Sequence, residues 1–334
     1  MTELDQEALR QRFNPDGSLL RRQQQRMLEI LLEVDRICKK HGIRYWLSSG
    51  TLIGAARHKG FIPWDDDLDI EMLWPDYQRL MRVLPEELPE TMALQNTTTD
   101  PNYYFFYAKV RDRRSHLEEI NRYDRVWREQ GIYIDIFPFY RQPLWIHMLS
   151  EKAQGHVYKI MNRRRGTQGV QEVQEVQGVQ EVQEVQEVQE VQEVQEVQEV
   201  QEVQDNSLVY EHSNDKSNVL NYLNFLNSLN SLTIPRDFWK VRLITRFNEK
   251  VLFPVLRLLC KFSRARETYG LGIPYHDPRH LEDTLPLAEM EFEGHLFPVP
   301  RDTHAALTLK YGDYMTLPDI NKINLHVGKL DIWD

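Results

Sequence analysis

The sequence predicts an α+β fold, with a small mixed β-sheet flanked by helices and a helical C-terminal part. Segments with helical periodicity alternate with short apolar segments typical of strands. The chain has 334 residues, of which 41% are hydrophobic and 28% charged, the composition of a globular protein with a sizeable core. Glycine and polar turn residues separate the elements.

Individual elements follow from local patterns. Ser18 is placed to cap a helix that runs to about Lys40 and ends at Gly42. We expect further helices at 51–57, at 77–84 where Pro85 stops the helix, across 237–266 with a break near Pro254, and at 304–311. We expect strands at 43–47, 68–72, 92–96, 104–112 and 132–137.

A low-complexity insert interrupts this pattern. Val-Gln-Glu repeats run from Val170 to Gln204, and an Asn-, Ser- and Leu-rich stretch follows. A three-residue period matches neither a helix nor a strand, so we expect residues 167–233 to be disordered or loosely helical. Residues 1–166 are then the predicted core, and residues 234–334 complete the same domain.

The charge of the chain comes from this insert. The net charge is −10, but residues 168–204 hold ten glutamates and no basic residue, which leaves 41 acidic and 41 basic residues elsewhere. No basic stripe with stacking aromatics indicates nucleic acid binding. No apolar run is long enough to span a membrane, and the N-terminus lacks the pattern of a secretory signal. Two cysteines favour free thiols and a cytoplasmic location.

One acidic segment is the strongest candidate for chemistry. If Trp64 to Glu71 is extended, its acidic residues other than Asp66 share one face: Asp65, Asp67, Asp69 and Glu71. Adjacent carboxylates repel one another unless a cation lies between them, and carboxylate oxygens are ligands that Mg²⁺ or Mn²⁺ prefers. The sequence therefore predicts a metal site here; the alternative is a solvated acidic loop.

The segment upstream favours the metal site. Ser49, Gly50 and Thr51 follow a predicted strand and open a short helix, whose backbone N–H groups are suited to bind phosphate. Arg57 and Lys59 lie between this helix start and the acidic segment, and both are candidate phosphate ligands. A phosphate cradle followed by carboxylates on the next strand is the arrangement of nucleotidyltransferases.

Four further residues are candidates for the same site. Asp135 stands alone in an apolar strand, which predicts either a metal ligand or a structural carboxylate bonded to the backbone. Lys109 and Arg111 share a strand face, where they could neutralise phosphate or pair with the acidic cluster. His326 is a weaker candidate for phosphate binding, and a structural role is the alternative.

These motifs together resemble the LicD family of phosphocholine transferases, whose superfamily includes fukutin and the fukutin-related protein. The resemblance covers most of 26–140 and about 295–327. It is carried by the segments 49–54, 57–70, 108–112, 132–138 and 311–318. The common family form is Gly-Gly-Thr where this chain has Ser49-Gly50-Thr51, so the second glycine of the turn is kept.

The resemblance implies a fold, a metal and a reaction. It implies a nucleotidyltransferase-like fold and a divalent metal at Asp65, Asp67 and Asp69, with Asp135 as the later acid. It also implies transfer of a phospho-alcohol from a CDP-activated donor to a glycan or lipid-linked glycan, with release of CMP. Two alternatives stay open: a nucleotidyltransferase that releases pyrophosphate, and a non-catalytic glycan- or nucleotide-binding protein.

Two basic amphipathic segments indicate a further partner. Residues 240–266 contain eight basic residues interleaved with Leu, Val and Phe, and residues 141–165 are similarly basic. Such helices can lie on anionic lipid, which predicts peripheral contact with the inner face of the membrane. The alternative is a helix packed on the core with a solvated face.

Overall fold

The structure is a computed structural model that describes residues 3–120, 124–162, 238–273, 278–320, 323 and 327–333. The chain divides into two compact units, Met1–Val157 with Trp239–Asp334, and Tyr158–Phe238. The β-sheet and the candidate site both belong to the first unit. The predicted insert at 167–233 lies outside the described residues.

The described helices surround the sheet. They are α1 (Glu3–Phe13), α2 (Leu19–His41), α3 (Ser49–His58), α4 (Trp74–Glu87), α5 (Leu144–Asn162), α6 (Phe238–Phe247), α7 (Phe253–Cys260), α8 (Leu281–Thr284) and α9 (Thr303–Tyr311). A π-helical segment, Asn248–Leu252, joins α6 to α7. Within the described ranges, every helix is too short or too polar to cross a membrane.

The described strands form one mixed sheet and two ribbons. They are β1 (Trp46–Leu47), β2 (Asp69–Leu73), β3 (Met92–Gln95), β4 (Ala108–Asp112), β5 (Ser115–Glu119), β6 (Tyr133–Arg141), β7 (Glu267–Tyr269), β8 (Arg279–His280), β9 (Ala288–Phe292), β10 (His295–Val299) and β11 (Val327–Ile332). The sheet order is β1-β2-β6-β4-β3, and β7 with β8 extends the far end of β6. The β2–β6 pair is parallel and its neighbours are antiparallel. The predicted α+β class with a mixed sheet is confirmed.

Helix α2 follows from a capped, amphipathic sequence. The Ser18 side chain accepts a hydrogen bond from the N–H of Arg21, and Gly42 ends the helix at a left-handed φ of 59°. The apolar face is fully buried and comprises Met27, Ile30, Leu31, Val34 and Ile37. This helix contacts β4 and β6 and forms the floor under the sheet.

Alternation along the strands places the apolar core residues on one face of the sheet and the polar candidate residues on the other. Ile70 on β2, Val110 on β4, and Ile134 and Ile136 on β6 are all buried in the same cluster as the face of α2. Because successive strand residues point to opposite faces, the residues between them lie on the other side of the sheet. Those residues are the polar candidates that the sequence singled out.

The C-terminal part is less helical than predicted. Strands β9 and β10 form an antiparallel hairpin whose turn is Glu293-Gly294, with φ values of 50° and 78°. Positive φ at both central residues is the geometry of a tight hairpin turn. Strand β11 pairs with β5. The prediction of a helical C-terminal part was therefore wrong for these segments, where residues of alternating character form strands.

Two other boundaries differ from prediction. Helix α4 begins at Trp74 and continues through Pro85, because that proline lies in the last turn of the helix and Pro75 occupies the first. Strand β4 begins only at Ala108, since the preceding aromatic residues pack their rings against Trp127.

Gly131 is expected to be intolerant of a side chain. A Cβ atom there would overlap the carbonyl of Asp112, whereas a Cβ at Gly155 in α5 meets open space. We expect Gly131→Ala to lower the free energy of unfolding by about 1–3 kcal/mol. Gly155→Ala should raise it by roughly 0.5–1 kcal/mol, because alanine is favoured in a helix. Urea denaturation of both variants checks this, and equal effects would contradict it.

Candidate active site

Strand register brings three charged residues into one row. Asp69 on β2 is the parallel partner of Asp135 on β6, and Lys109 on β4 is the antiparallel partner of Asp135. Directly paired residues share a face of the sheet. Two carboxylates and one ammonium group therefore lie side by side on the face opposite α2.

Lys109 is held among negative and aromatic groups. Its Nζ lies 2.7 Å from Asp135 Oδ1 and 3.9 Å from Glu119 Oε1. The same atom lies 3.4 Å from the centroid of the Tyr133 ring. Lys109 is buried, so its charge is matched by the carboxylates rather than by water. Of the two roles predicted for Lys109, the pairing with the acidic cluster is present in this structure.

A loop brings Asp65 and Asp67 towards the row. Gly54 in α3 lets the carbonyl of Gly60 approach so closely that a Cβ would overlap it. The chain then turns back to Asp65, whose Oδ2 lies 2.8 Å from the Cβ position of Gly50. That oxygen is buried and, in the described part of the chain, no donor reaches it.

The carboxylates interact strongly with one another. Burial raises the pKa of Asp65 well above its usual value, and the charges of Asp67 and Asp69 raise it further. Burial also raises the pKa of Asp69, and the charges of Asp67 and Asp135 raise it further. The positive charges of Lys310 and Lys109 lower it. Burial raises the pKa of Asp135 to about 6, although Lys109 lowers it. The cluster therefore resists carrying its full negative charge without a cation.

Asp66 makes hydrogen bonds outside the cluster, although residues 65–67 form a loop before β2 and not the extended strand from which its orientation was predicted. Its Oδ2 accepts a hydrogen bond from the N–H of Val327 at 2.9 Å, and its carbonyl accepts one from Gln23 at 2.7 Å. Asp66 is buried, so it is a structural residue that ties β11 and α2 to the loop. Asp66 is the buried aspartate of this loop, whereas Asp65 and Asp67 are half-buried.

The start of α3 lies beside β2. Ser49 adopts a positive φ of 51°, and its Oγ accepts a hydrogen bond from Lys310 Nζ at 2.8 Å. Thr51 Oγ1 accepts a hydrogen bond from the backbone N–H of Asp69 at 2.9 Å. The helix start and the first residue of β2 are thereby joined, which places backbone N–H groups near the carboxylates.

A buried ion pair supports this junction. Glu71 binds Arg279 through two hydrogen bonds of 2.7 and 3.0 Å, and accepts further bonds from Trp46 and Ser48. Burial alone would raise the pKa of Glu71, but Arg279 and these donors hold it below the usual value. Glu71 is therefore satisfied within the protein, unlike Asp65.

Three of the predicted phosphate ligands either lie far from the start of α3 or form hydrogen bonds with other protein groups. Arg57 donates to the carbonyls of Tyr314 and Thr316, and its charge interacts with that of Asp65. Lys59 is exposed at the far end of α3, roughly 15 Å from the helix start at 1.5 Å per residue. Arg111 is fully buried and donates to Gln95 and Gly131.

His326 lies outside the described residues, and its predicted role stays a prediction. Lys310, Glu119 and Arg279, which the fold brings to the site, were not singled out from the sequence. For Lys310 a signal existed, because it directly precedes the segment 311–318 that carries part of the family resemblance.

The carboxylates fit a divalent cation that keeps other ligands. Among the described residues, His, Cys, Asp and Glu side chains form no group of three that could hold a metal ion. Mg²⁺ seldom needs one, because it is usually held by one or two carboxylates, with phosphate oxygens and water completing the octahedron. The buried, unpaired oxygen of Asp65 and the mutual repulsion of the cluster are consistent with such a partner.

Comparison with known proteins identifies this part of the chain. The family described as "LicD/FKTN/FKRP, nucleotidyltransferase domain" matches residues 42–160. Residues 42–160 form a LicD domain. It contains α3, β2, β4 and β6, and therefore the row of Asp69, Asp135 and Lys109, whereas Lys310 and Arg279 lie beyond it.

Several curated relatives of this region are named as transferases. The lipopolysaccharide cholinephosphotransferase LicD of Haemophilus influenzae is 40% identical over 120 residues, which is 35% of this chain and 43% of that protein. The ribitol 5-phosphate transferase FKRP of human and of mouse is 54% identical over 35 residues, 10% of this chain and 7% of that protein. The chain thus matches less than half the length of these relatives.

The repulsion within the LicD domain predicts a stabilising mutation. The pKa of Asp69 is raised on folding, so the folded state holds its proton more tightly, and ionised Asp69 opposes folding once the pH exceeds the usual 3.8. In metal-free protein at pH 7.5, we expect Asp69→Asn to raise the melting temperature, by roughly 2–4 °C for each kcal/mol relieved. At pH 4 the effect should largely vanish.

Asp66→Asn is the matched control, because Asp66 accepts hydrogen bonds that a carboxylate makes best. The melting temperature of this variant should equal that of the unmodified protein, or be lower, at both pH values. A lower melting temperature for Asp69→Asn at pH 7.5 would contradict the view that the cluster is under charge strain.

Proposed function

We propose that this protein transfers a phospho-alcohol, such as phosphocholine, from a CDP-activated donor to a cell-surface glycan and releases CMP. The observation that carries the proposal is the junction of the α3 start with the row of carboxylates inside a LicD domain. Two relatives of that domain are named for the transfer of cholinephosphate and ribitol 5-phosphate. A nucleotidyltransferase-like fold is part of the same proposal.

The positive groups of the site are placed to bind the donor's diphosphate. Backbone N–H groups at the start of α3 carry the positive end of the helix dipole. Lys310 adds a full charge next to Ser49, at 2.8 Å from its Oγ. Phosphate oxygens that lie between these groups and the carboxylates would be held from one side by hydrogen bonds and charge.

The carboxylates supply the opposite side of the site. Asp67 and Asp69 would hold Mg²⁺ (or Mn²⁺), with Asp65 and Asp135 beside them. When bound, the metal offsets the negative charge on the oxygens that enter and leave the phosphorus. The buried Asp65 Oδ2 has no donor in the described part of the chain, which leaves it available to a cation.

Asp135 is the candidate general base. The acceptor hydroxyl oxygen forms a bond to the phosphorus that carries the alcohol, and the phosphorus–oxygen bond to CMP breaks. The hydroxyl proton passes to the Asp135 carboxylate. Burial raises the pKa of Asp135 to about 6, which keeps it ionised at neutral pH yet basic enough to accept a proton. Lys109 orients this carboxylate through its ion pair.

A donor screen tests the reaction. Purified protein with Mg²⁺ is incubated with CDP-choline, CDP-ethanolamine, CDP-ribitol or CDP-glycerol, with and without candidate glycans, and CMP is measured. We expect CMP release from one donor, lost on chelation. Asp67→Ala and Asp69→Ala should each lower turnover by about 100-fold or more, a typical effect of removing a catalytic group.

Asp66→Asn, on the opposite side of the same loop, controls for general damage and should retain turnover. Release of pyrophosphate from a nucleoside triphosphate, with no CMP from any CDP donor, would replace the proposal with nucleotide transfer. Near-normal turnover in both alanine variants would overturn the assignment of the metal site.

Lys310 provides a separate prediction about donor binding. Lys310→Met removes the charge beside Ser49 and should raise the KM for the CDP donor by about 10-fold or more, because a charge-assisted bond to phosphate contributes about 1.5–3 kcal/mol. Lys39→Met removes an exposed lysine whose partner, Asp35, lies on the same helix, and should leave KM unchanged. An unchanged KM in Lys310→Met would exclude Lys310 from the donor site.

A further inference from the structure

An exposed apolar stripe runs along the helical segment 239–262. Large apolar side chains recur about every fourth residue, and each is exposed: Trp239, Leu243, Phe247, Val251, Val255, Leu259 and Phe262. Trp239 is 60% exposed and Phe262 is 80% exposed. Seven large apolar groups along one segment exceed the scattered exposed residues that a globular surface normally carries.

The inward face of the same segment is already occupied. Phe253 and Leu256 are buried in a cluster with Ile146 of α5 and Tyr140 of β6. Arg257 points inward as well, since it donates to Tyr140 Oη at 2.9 Å and lies 4.1 Å from the Trp74 ring. The exposed stripe is therefore a second apolar face, additional to the one that packs on the core.

A π-helical turn reduces the rotation of the stripe around the helix axis. In an α-helix a residue every four positions drifts by about 40° per step around the axis. The N–H of Phe253 donates to the carbonyl of Asn248, five residues back, next to Pro254, which lacks an N–H. This wider turn rotates the following residues backwards and offsets part of the drift. The stripe consequently stays exposed from α6 through α7.

The charges beside the stripe are almost entirely positive. The exposed basic residues are Lys240, Arg242, Arg246, Lys250, Lys261, Arg264 and Arg266. The single acidic residue of 239–266, Glu249, accepts a hydrogen bond from Thr97 at 2.7 Å and so faces inward. Exposed Trp, Phe and Leu flanked by Lys and Arg are the composition of helices that lie on anionic bilayers.

We propose that the outer face of residues 239–262 docks on an anionic lipid surface. Apolar side chains enter the boundary between headgroups and acyl chains, and the flanking basic residues pair with lipid phosphates. The start of α5 extends the surface, because Trp145, Met148 and Leu149 are also exposed beside the buried Ile146. This is peripheral contact, in keeping with the helices described, none of which could span a bilayer.

The docking face is independent of the proposed transfer but compatible with it. Tyr140, which packs beneath the helices, lies five residues along β6 from Asp135. At about 3.3 Å per residue, roughly 17 Å of one strand connects the two. If the acceptor is a lipid-linked glycan, which rests on the proposed function, the face would hold the active site near the bilayer.

Vesicle flotation of the full chain tests the proposal. We expect the protein to float with vesicles of phosphatidylcholine and phosphatidylglycerol, but not with phosphatidylcholine alone, and to lose binding in high salt. The variant Arg242→Gln, Arg246→Gln, Lys250→Gln should reduce partitioning by roughly 100-fold, since each charge contributes about a factor of five. Leu243→Ser with Phe247→Ser should also reduce it, whereas Leu296→Ser, an equally exposed residue on β10, should not.

Flotation measures binding and needs no turnover, so its failure is distinct from failure of the proposed function. Circular dichroism checks that the variants are folded. We expect them to fold because the substituted side chains are exposed. Absence of flotation, or flotation that ignores anionic lipid, overturns the proposal. Self-association that Leu243→Ser with Phe247→Ser abolishes, without vesicle binding, would assign the face to a second copy of the chain and also overturn it.

Discussion

The parallel pairing of β2 with β6 is the constraint on which the site depends. It fixes Asp69 beside Asp135, and the antiparallel pairing of β4 then fixes Lys109 beside Asp135. A shift of one residue in either ladder would turn these side chains into the core, because strand residues alternate between faces. The buried isoleucines and valines on the α2 side oppose any such shift. Burial of the apolar face therefore determines where the charges meet.

This arrangement costs stability. Carboxylates that raise one another's pKa oppose folding at neutral pH, and Lys109 compensates only for those nearest to it. Glu71 shows the alternative: a buried carboxylate in the same strand that is fully matched by Arg279. Glu71 has partners within the protein, whereas the buried Asp65 Oδ2 has no donor in the described part of the chain, and this contrast distinguishes structural support from a candidate ligand-binding group.

Sequence patterns predicted the elements that local physics determines. Helix α2 was predicted nearly to the residue because Ser18 and Gly42 define its ends. The acidic segment and the start of α3 were singled out from local properties, the run of aspartates and the helix dipole, and their functional roles stay predictions. Lys310 could not be predicted from such rules, because it reaches Ser49 across 261 positions of sequence. The β9–β10 hairpin was missed although its Glu-Gly turn is a local signal.

Residues distant in sequence complete what the LicD domain begins. The match at 42–160 contains the carboxylates but not Lys310 or Arg279, and both of these contact the junction of α3 with β2. A carboxylate row without nearby positive charge would repel a diphosphate as strongly as it attracts a metal. The C-terminal part therefore does more than cover the sheet. By placing a lysine at the helix start and neutralising Glu71, it limits the uncompensated negative charge to the carboxylates that we propose to hold a metal. The adjacent positive surface is the one that we propose to bind an anionic donor.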